Sequence, residues 1–196
     1  VKNISLIKSL NLNNKFIVLY IGAHGISQGL DTLINAAKKA TKINQIHFLF
    51  VGDGAKKQDL IKKVISSNIK NVTFVDNQPK DKVKSFYSIA DVVCVPLRNI
   101  PLFDSFIPSK IFEIMAMQKP IIASLAGEAA NILAHSGGAL LSKPEDHNHI
   151  LENILFLYKN PEESIKMGSN GREYVVKNFD RRLLSKNYQK IFQSIL

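Results

Sequence analysis

Short runs of apolar, largely β-branched or aromatic residues alternate along this chain with longer segments of helical period. Few architectures accommodate that alternation. FIVLYI (16 to 21), IHFLFV (46 to 51), VTFV (72 to 75), DVVCV (91 to 95) and PIIAS (120 to 124) read as strands, and ALL (139 to 141) as a sixth, short one. Unbroken apolar runs, rather than alternating ones, belong to strands covered on both faces. Between them, Leu30, Leu33, Ile34 and Ala37 make one apolar helix face, and Leu60, Ile61, Val64 and Ile65 turn inward on the next. DKVKSFYSIA and KIFEIMAM are short helices. From Asp146 onward the pattern is helical throughout, with Ile150, Ile154 and Leu157 on one face and a last helix from Arg181 to Leu196. The predicted fold is α/β: a doubly wound, Rossmann-like parallel sheet of about six strands with C-terminal helices.

Composition narrows the function classes. The 196 residues are 45% hydrophobic and 21% charged, too apolar for disorder and of ordinary size for one domain. No run of 18 uncharged apolar residues occurs, and residues 1 to 15 lack the apolar core and cleavage site of a signal peptide, which speaks against spanning and secretion. The single Cys94 lies inside ADVVCVPL and reads as a buried, inert thiol. His147 and His149 stand i, i+2, on opposite sides of a helix, so no metal is expected. The net charge of +10 comes from 22 Lys against 4 Arg. Lys38, Lys39, Lys56, Lys57, Lys62 and Lys63 are scattered over helix faces, where a solvated surface explains them. No RNP-like aromatic segment or zinc-finger spacing accompanies them, so nucleic acid is not an expected partner. Peripheral contact with an anionic membrane stays open.

Ligands of doubly wound sheets bind at the carboxyl ends of the strands, which directs attention to the loops there. Gly22-Ala23-His24-Gly25 follows the first strand, with Gly29 close by, and Gly52-Asp53-Gly54 follows the second. Such turns bring backbone amides close to a ligand, yet tight turns need glycine regardless, and both readings stand. The segment after the fourth strand says more. Pro108 suits the first turn of a helix and would leave the amides of Ser109, Lys110 and Ile111 free. Lys110 and Glu113 are three apart and Ser109 and Glu113 four apart, so an ammonium, amides and a carboxylate share one helix end. A phosphate beside a vicinal diol, as in a nucleoside diphosphate, would use all three. The alternative is a surface ion pair without function.

IPSKIFEIMAMQKPIIAS, together with YIGAHGISQGLDTLINAA, FLFVGDGAKKQDL and ADVVCVPL, resembles the C-terminal, nucleotide-sugar-binding half of family 4 retaining glycosyltransferases of the GT-B fold. The similarity covers about residues 16 to 196 and is nearest to amino-sugar transferases of bacterial O-antigen and capsule assembly. It implies that Glu113 is the second carboxylate of the family's E-x7-E motif, bonding the ribose hydroxyls. The first acidic position falls on Ser105, with Asp104 one place off. The family's basic pair after the first strand would fall on Ala23 and Gln28, which leaves Arg98 and Lys110 to neutralise the diphosphate and stabilise it as it leaves. His24 and the Gly22 to Gly25 amides stand alongside, although His24 could equally cap the adjacent helix. Val75 to Gln78 resembles the segment that meets the base, and Gly127 and Glu128 occupy positions facing the donor sugar. Catalysis in the family is metal-free retaining transfer, and no side-chain nucleophile or cofactor is implied.

The resemblance further implies a nucleoside-diphosphate sugar, most simply a UDP-sugar, as donor, and a cell-surface polysaccharide or lipid-linked acceptor. The N-terminal acceptor domain of such an enzyme is absent from these 196 residues, which do not begin with Met. Residues 1 to 15 then read as an interdomain linker or strand remnant, 16 to 180 as the nucleotide-sugar domain, and 181 to 196 as a crossover helix. Leu184, Tyr188, Ile191 and Ile195 recur at i, i+4, i+7 and i+11 along that helix, an apolar stripe left without the missing domain. A cytoplasmic enzyme, at the inner face of the membrane if peripheral, is the expected setting. The fragment alone is expected to be inactive. Two other readings compete: a non-catalytic nucleotide- or protein-binding α/β module, and a basic protein adhering to anionic lipid or nucleic acid.

Overall fold

A computed structural model describes residues 2–195, with the backbone only for Asn187, Ser194 and Ile195. Six parallel strands, β1 (Phe16–Ile21), β2 (Ile46–Val51), β3 (Val72–Val75), β4 (Val92–Pro96), β5 (Ile121–Ser124) and β6 (Ala139–Ser142), form one sheet in the order β3-β2-β1-β4-β5-β6. The doubly wound α/β fold expected from the strand pattern is the one observed. Alternate side chains of each strand feed opposite faces. Ile17, Leu19 and Ile21 of β1 join one core, and Val18 and Tyr20 join the other.

Helices cover both faces. On one lie α1 (Ile4–Ser9), α4 (Lys80–Ile89), α5 (Lys110–Ala116), α6 (Gly127–Ser136) and α8 (Pro161–Phe179), on the other α2 (Asp31–Lys39), α3 (Lys57–Ser66) and α7 (His147–Lys159). Ile111, Ile114 and Met115 of α5 are fully buried, as are Leu33 and Ile34 of α2 and Ile154 and Leu157 of α7. Each such side chain contributes on the order of 1.5–3 kcal/mol. Cys94 lies inside the second core, and burial pushes its thiol up to about 12. Among the described residues, no helix is long and apolar enough to cross a membrane.

Several elements differ from expectation. Residues 4–9 of the supposed linker are helical: Asn3 caps α1 by accepting from the Leu6 N–H at 3.1 Å, and Ile7 and Leu12 are buried against the domain. Asn11 and Asn14 then take left-handed φ values of 55° and 58° to turn the chain into β1. On α3 the buried stripe is Lys57, Leu60 and Val64, an i, i+3, i+7 set, so Ile65 points outward at 73% exposure. The sequence pattern predicts no helix over 127–136, yet one forms there, and residues 101–105 form a 3-10 turn within the long loop after β4. Helix α9 (Arg181–Ile195) begins where expected, with the Asp180 carboxylate accepting from the Arg182 N–H at 2.8 Å. Leu196 and the Ile195 side chain lie outside the described residues.

Candidate functional site

The chain runs outward from β1 to β2 and β3, then returns to the other side of β1 at β4, so the sheet reverses between the carboxyl ends of β1 and β4. Such a switch point leaves a crevice. Lys110 reaches into it from the start of α5. Its Nζ donates to the Ile21 carbonyl at 2.9 Å and lies 4.5 Å from the centre of the Tyr20 ring. The Tyr20 hydroxyl in turn donates to the Ala23 carbonyl at 2.6 Å. Gly22, at φ +138°, is what admits the ammonium, since a Cβ there would lie 2.4 Å from Nζ. Burial lowers the Lys110 pKa to about 8, and the charge of nearby Glu113 opposes that shift. A hollow of about 130 Å³ opens beside it, lined by Gln28, Pro96, Leu97, Phe106, Ser109 and Lys110.

The Gly-rich loops are stitched to one another by backbone bonds that continue the sheet register past its end. The amides of Gly22, His24 and Gly25, expected to face a ligand, already donate to Val51 O at 2.9 Å, Asp53 O at 2.7 Å and Gln28 Oε1 at 3.1 Å. The Gly52 N–H likewise donates to Val75 O at 3.0 Å, and the Lys56 N–H to His24 O at 2.8 Å. These loops touch so closely that a Cβ on Gly52 would lie 2.0 Å from Gly22 O, and one on Gly54 2.7 Å from His24 O. The His24 ring is enclosed, neither capping a helix nor facing the crevice. It packs with Tyr20, Phe50 and Phe74, both ring nitrogens lack partners among the described residues, and burial lowers its pKa to about 4.

Arg98 is likewise committed within the protein rather than free for a diphosphate. Its Nε donates to Ile26 O at 2.8 Å and its Nη1 to Glu145 at 3.2 Å, with Asp31 at 3.8 Å from Nη2. Three acceptors around one planar guanidinium hold the loop after β4 to the loops after β1 and β6. The start of α5 also differs in detail: the Ile111 N–H donates to Pro108 O at 3.0 Å and is not free, because the chain enters the helix through a 3-10 bond.

Glu113 is exposed on α5 and lines a second cleft of about 290 Å³, between α4 and α5, with Lys80, Val83, Lys84, Tyr87, Ala116 and Met117. Ser109 and Lys110 thus serve one hollow and Glu113 its neighbour, on adjoining sides of one helix end. Ser105 and Asp104 are exposed in the 3-10 turn, which presses on the start of α6. Gly127, at φ +70°, permits that approach, since a Cβ would lie 1.9 Å from Asp104 O, and Glu128 follows it, exposed. The four residues assigned to the sugar side are therefore gathered in one place. Val75 gives its carbonyl to Gly52, and Gln78 lines a groove with Asn3 and Phe86 while its Nε2 donates to Asp76 O at 3.0 Å.

Lys57, assigned to a solvated face, is 4% exposed; its Nζ donates to Gly52 O at 3.0 Å and pairs with Asp76. The signal was its spacing to Leu60 and Val64 on the inward stripe. Among the described residues, no three His, Cys, Asp or Glu side chains converge as a metal site would require.

Fold and crevice together define an α/β domain of the kind that holds its ligand at a topological switch point. Residues 3–174 match the family described as glycosyl transferases group 1, and the chain belongs to that family. It is 27% identical over 177 residues to an uncharacterized glycosyltransferase of Methanocaldococcus jannaschii, covering 90% of this chain and 48% of that protein. It is 25% identical over 185 residues to a 2-deoxystreptamine N-acetyl-D-glucosaminyltransferase of Niallia circulans, covering 93% and 46%. The chain thus spans about half the length of these curated relatives. Its fold matches that of Anabaena HepE, solved in complex with UDP and glucose, with a TM-score of 0.84 at 20% identity over 97% of this chain and 51% of that one. Sucrose-phosphate synthase from Thermosynechococcus elongatus gives 0.82 at 25% identity over 99% and 49%. The protein is a glycosyltransferase domain with the C-terminal GT-B fold.

Proposed function

We propose that this chain is the donor-binding half of a retaining glycosyltransferase that takes a UDP-sugar and delivers the sugar to a polysaccharide or lipid-linked acceptor held by a second domain. The observation that carries the reading is Lys110: a half-buried lysine at the switch point whose ammonium is held, among the described residues, by a carbonyl and an aromatic ring rather than by an ion pair, beside an open hollow. A cation so placed is matched by a diphosphate. As the bond from the sugar to the diphosphate breaks, negative charge grows on the leaving oxygen, and a fixed ammonium in a partly dry site stabilises it. No metal is needed for that step. Glu113, on the adjoining side of α5, takes the ribose hydroxyls, and Ser105, Gly127 and Glu128 face the sugar. HepE, with UDP bound in a structure of the same fold, supports the choice of nucleotide.

Substitution at Glu113 tests the reading. Glu113→Ala should weaken UDP by about 1–3 kcal/mol, the range for losing hydrogen bonds to a charged group, and leave 2′,3′-dideoxy-UDP unaffected because that ligand lacks the partners. Equal loss for both nucleotides in calorimetry would remove the ribose role.

A further inference from the structure

Arg98, expected to grip a diphosphate, grips a turn of the chain instead. The turn over residues 26–29 closes on the Gly29 N–H, which donates to Ile26 O at 3.2 Å, and that same carbonyl accepts from Arg98 Nε at 2.8 Å. The Arg98 N–H donates to Ser27 O at 2.9 Å, and its side chain lies across Gly29, where a Cβ would come within 3.1 Å of Arg98 Cγ. This turn carries Gln28 to the hollow beside Lys110, and Leu97, the residue before Arg98, lines the hollow too. Arg98 is itself held from the loop after β6. Glu145 Oε1 accepts from Arg98 Nη1 at 3.2 Å, and its Oε2 accepts from the Asn99 N–H at 3.1 Å. Glu145 does so from a left-handed backbone, φ +64°, which residues other than Gly, Asn and Asp seldom take. Asp31 stands 3.8 Å from Arg98 Nη2 and pairs through its other oxygen with Lys63 at 3.2 Å, so the four charges balance one another. Exposed ion pairs contribute little to stability; what this one supplies is position.

We infer that Glu145 is a positioning residue: by fixing the fork of Arg98 it sets where the 26–29 turn stands, and with it the Gln28 side of the hollow that receives the diphosphate. The inference rests on the reading of that hollow as the diphosphate site. A guanidinium suits this task, because its planar donors point in fixed directions and reach Ile26 and Glu145 at once, whereas a lysine ammonium is a point charge on a flexible stem. A turn ordered before the ligand arrives need not be ordered at the expense of binding.

Glu145→Asn tests it, since asparagine tolerates the left-handed backbone while the carboxylate is removed. Calorimetry on the 196-residue chain should show UDP bound about fivefold more weakly, and uridine, which has no diphosphate, unchanged. Arg98→Lys should do the same, and the double variant should bind UDP about as weakly as Arg98→Lys alone, because Glu145 acts through Arg98. An Arg98 that met the diphosphate directly would behave in the opposite way: Glu145→Asn would free the guanidinium and tighten UDP. Tighter or unchanged UDP in Glu145→Asn, an equal loss of uridine, or losses that add in the double variant each overturn the inference. Lys110→Met separates the two levels. If it weakens UDP more than uridine while Glu145→Asn does not, only the positioning role is lost; if it weakens both alike, the hollow is not the diphosphate site and this inference falls with it.

Discussion

If Lys110 meets the diphosphate as proposed, nucleotide binding should depend on pH. The Lys110 pKa in the free protein is lowered to about 8 by burial, and a diphosphate favours the charged form, so binding must raise it. At pH 7 the ammonium is already present. As pH rises through 8, the free protein loses a proton that the complex retains, and affinity should fall by up to about tenfold per unit. UDP affinity measured from pH 7 to 9.5 should therefore decline above pH 8, uridine affinity should stay level, and Lys110→Met should bind UDP weakly without the decline. An alkaline decline that survives in Lys110→Met assigns the titration elsewhere. Lys110 and Glu113 were legible because Pro108 marks a helix start and spacing does the rest. Arg98, His24 and Lys57 were not, since what decides them is which neighbour lies across a loop: Glu145 for Arg98, three aromatic rings for His24, Asp76 for Lys57.

Among the elements, the strands were the most readable, because an apolar run buried on both faces has no competing explanation. Helix α6 was hidden by its own composition: GEAANILAHS opens on a glycine and buries only small residues and Leu133, which leaves little amphipathic contrast. Helix α1 was hidden by brevity. Helix α9 was legible as a helix, and the structure shows its apolar side turned outward: Leu184 is 37% exposed, Tyr188 64% and Phe192 65%. With few contacts to the rest of the domain beyond α8, it should open locally far more often than the sheet. Amide exchange across 183–195 should be at least about a hundredfold faster than in β1 and β2. Exchange there as slow as in the central strands would show that the stripe is satisfied within this chain. Our reading is that it covers the acceptor domain.

For the molecule as a whole, the length of the relatives matters as much as the sheet. A chain that spans about half of them and carries one side of a donor site should bind UDP yet transfer no sugar. Incubation with a UDP-sugar panel and candidate acceptors should release no UDP above the hydrolytic background, and measurable turnover by residues 1–196 would contradict the two-domain reading. The division of labour was visible in sequence as a resemblance; the way the loops share the work was not. The turns after β1, β2 and β3 are bonded amide to carbonyl in series, with Gly52 pressed on Gly22 and Gly54 on His24. An insertion or a side chain introduced into any one of them displaces the next. Those three turns consequently form one mechanical unit, in which a substitution in one is felt in the other two. The loop after β4 is tied in the same way, its Leu97 N–H donating to Ser124 O at 2.9 Å, and it meets the start of α6 again at Gly127. A change of length in any of these loops should therefore be felt in the loop beside it.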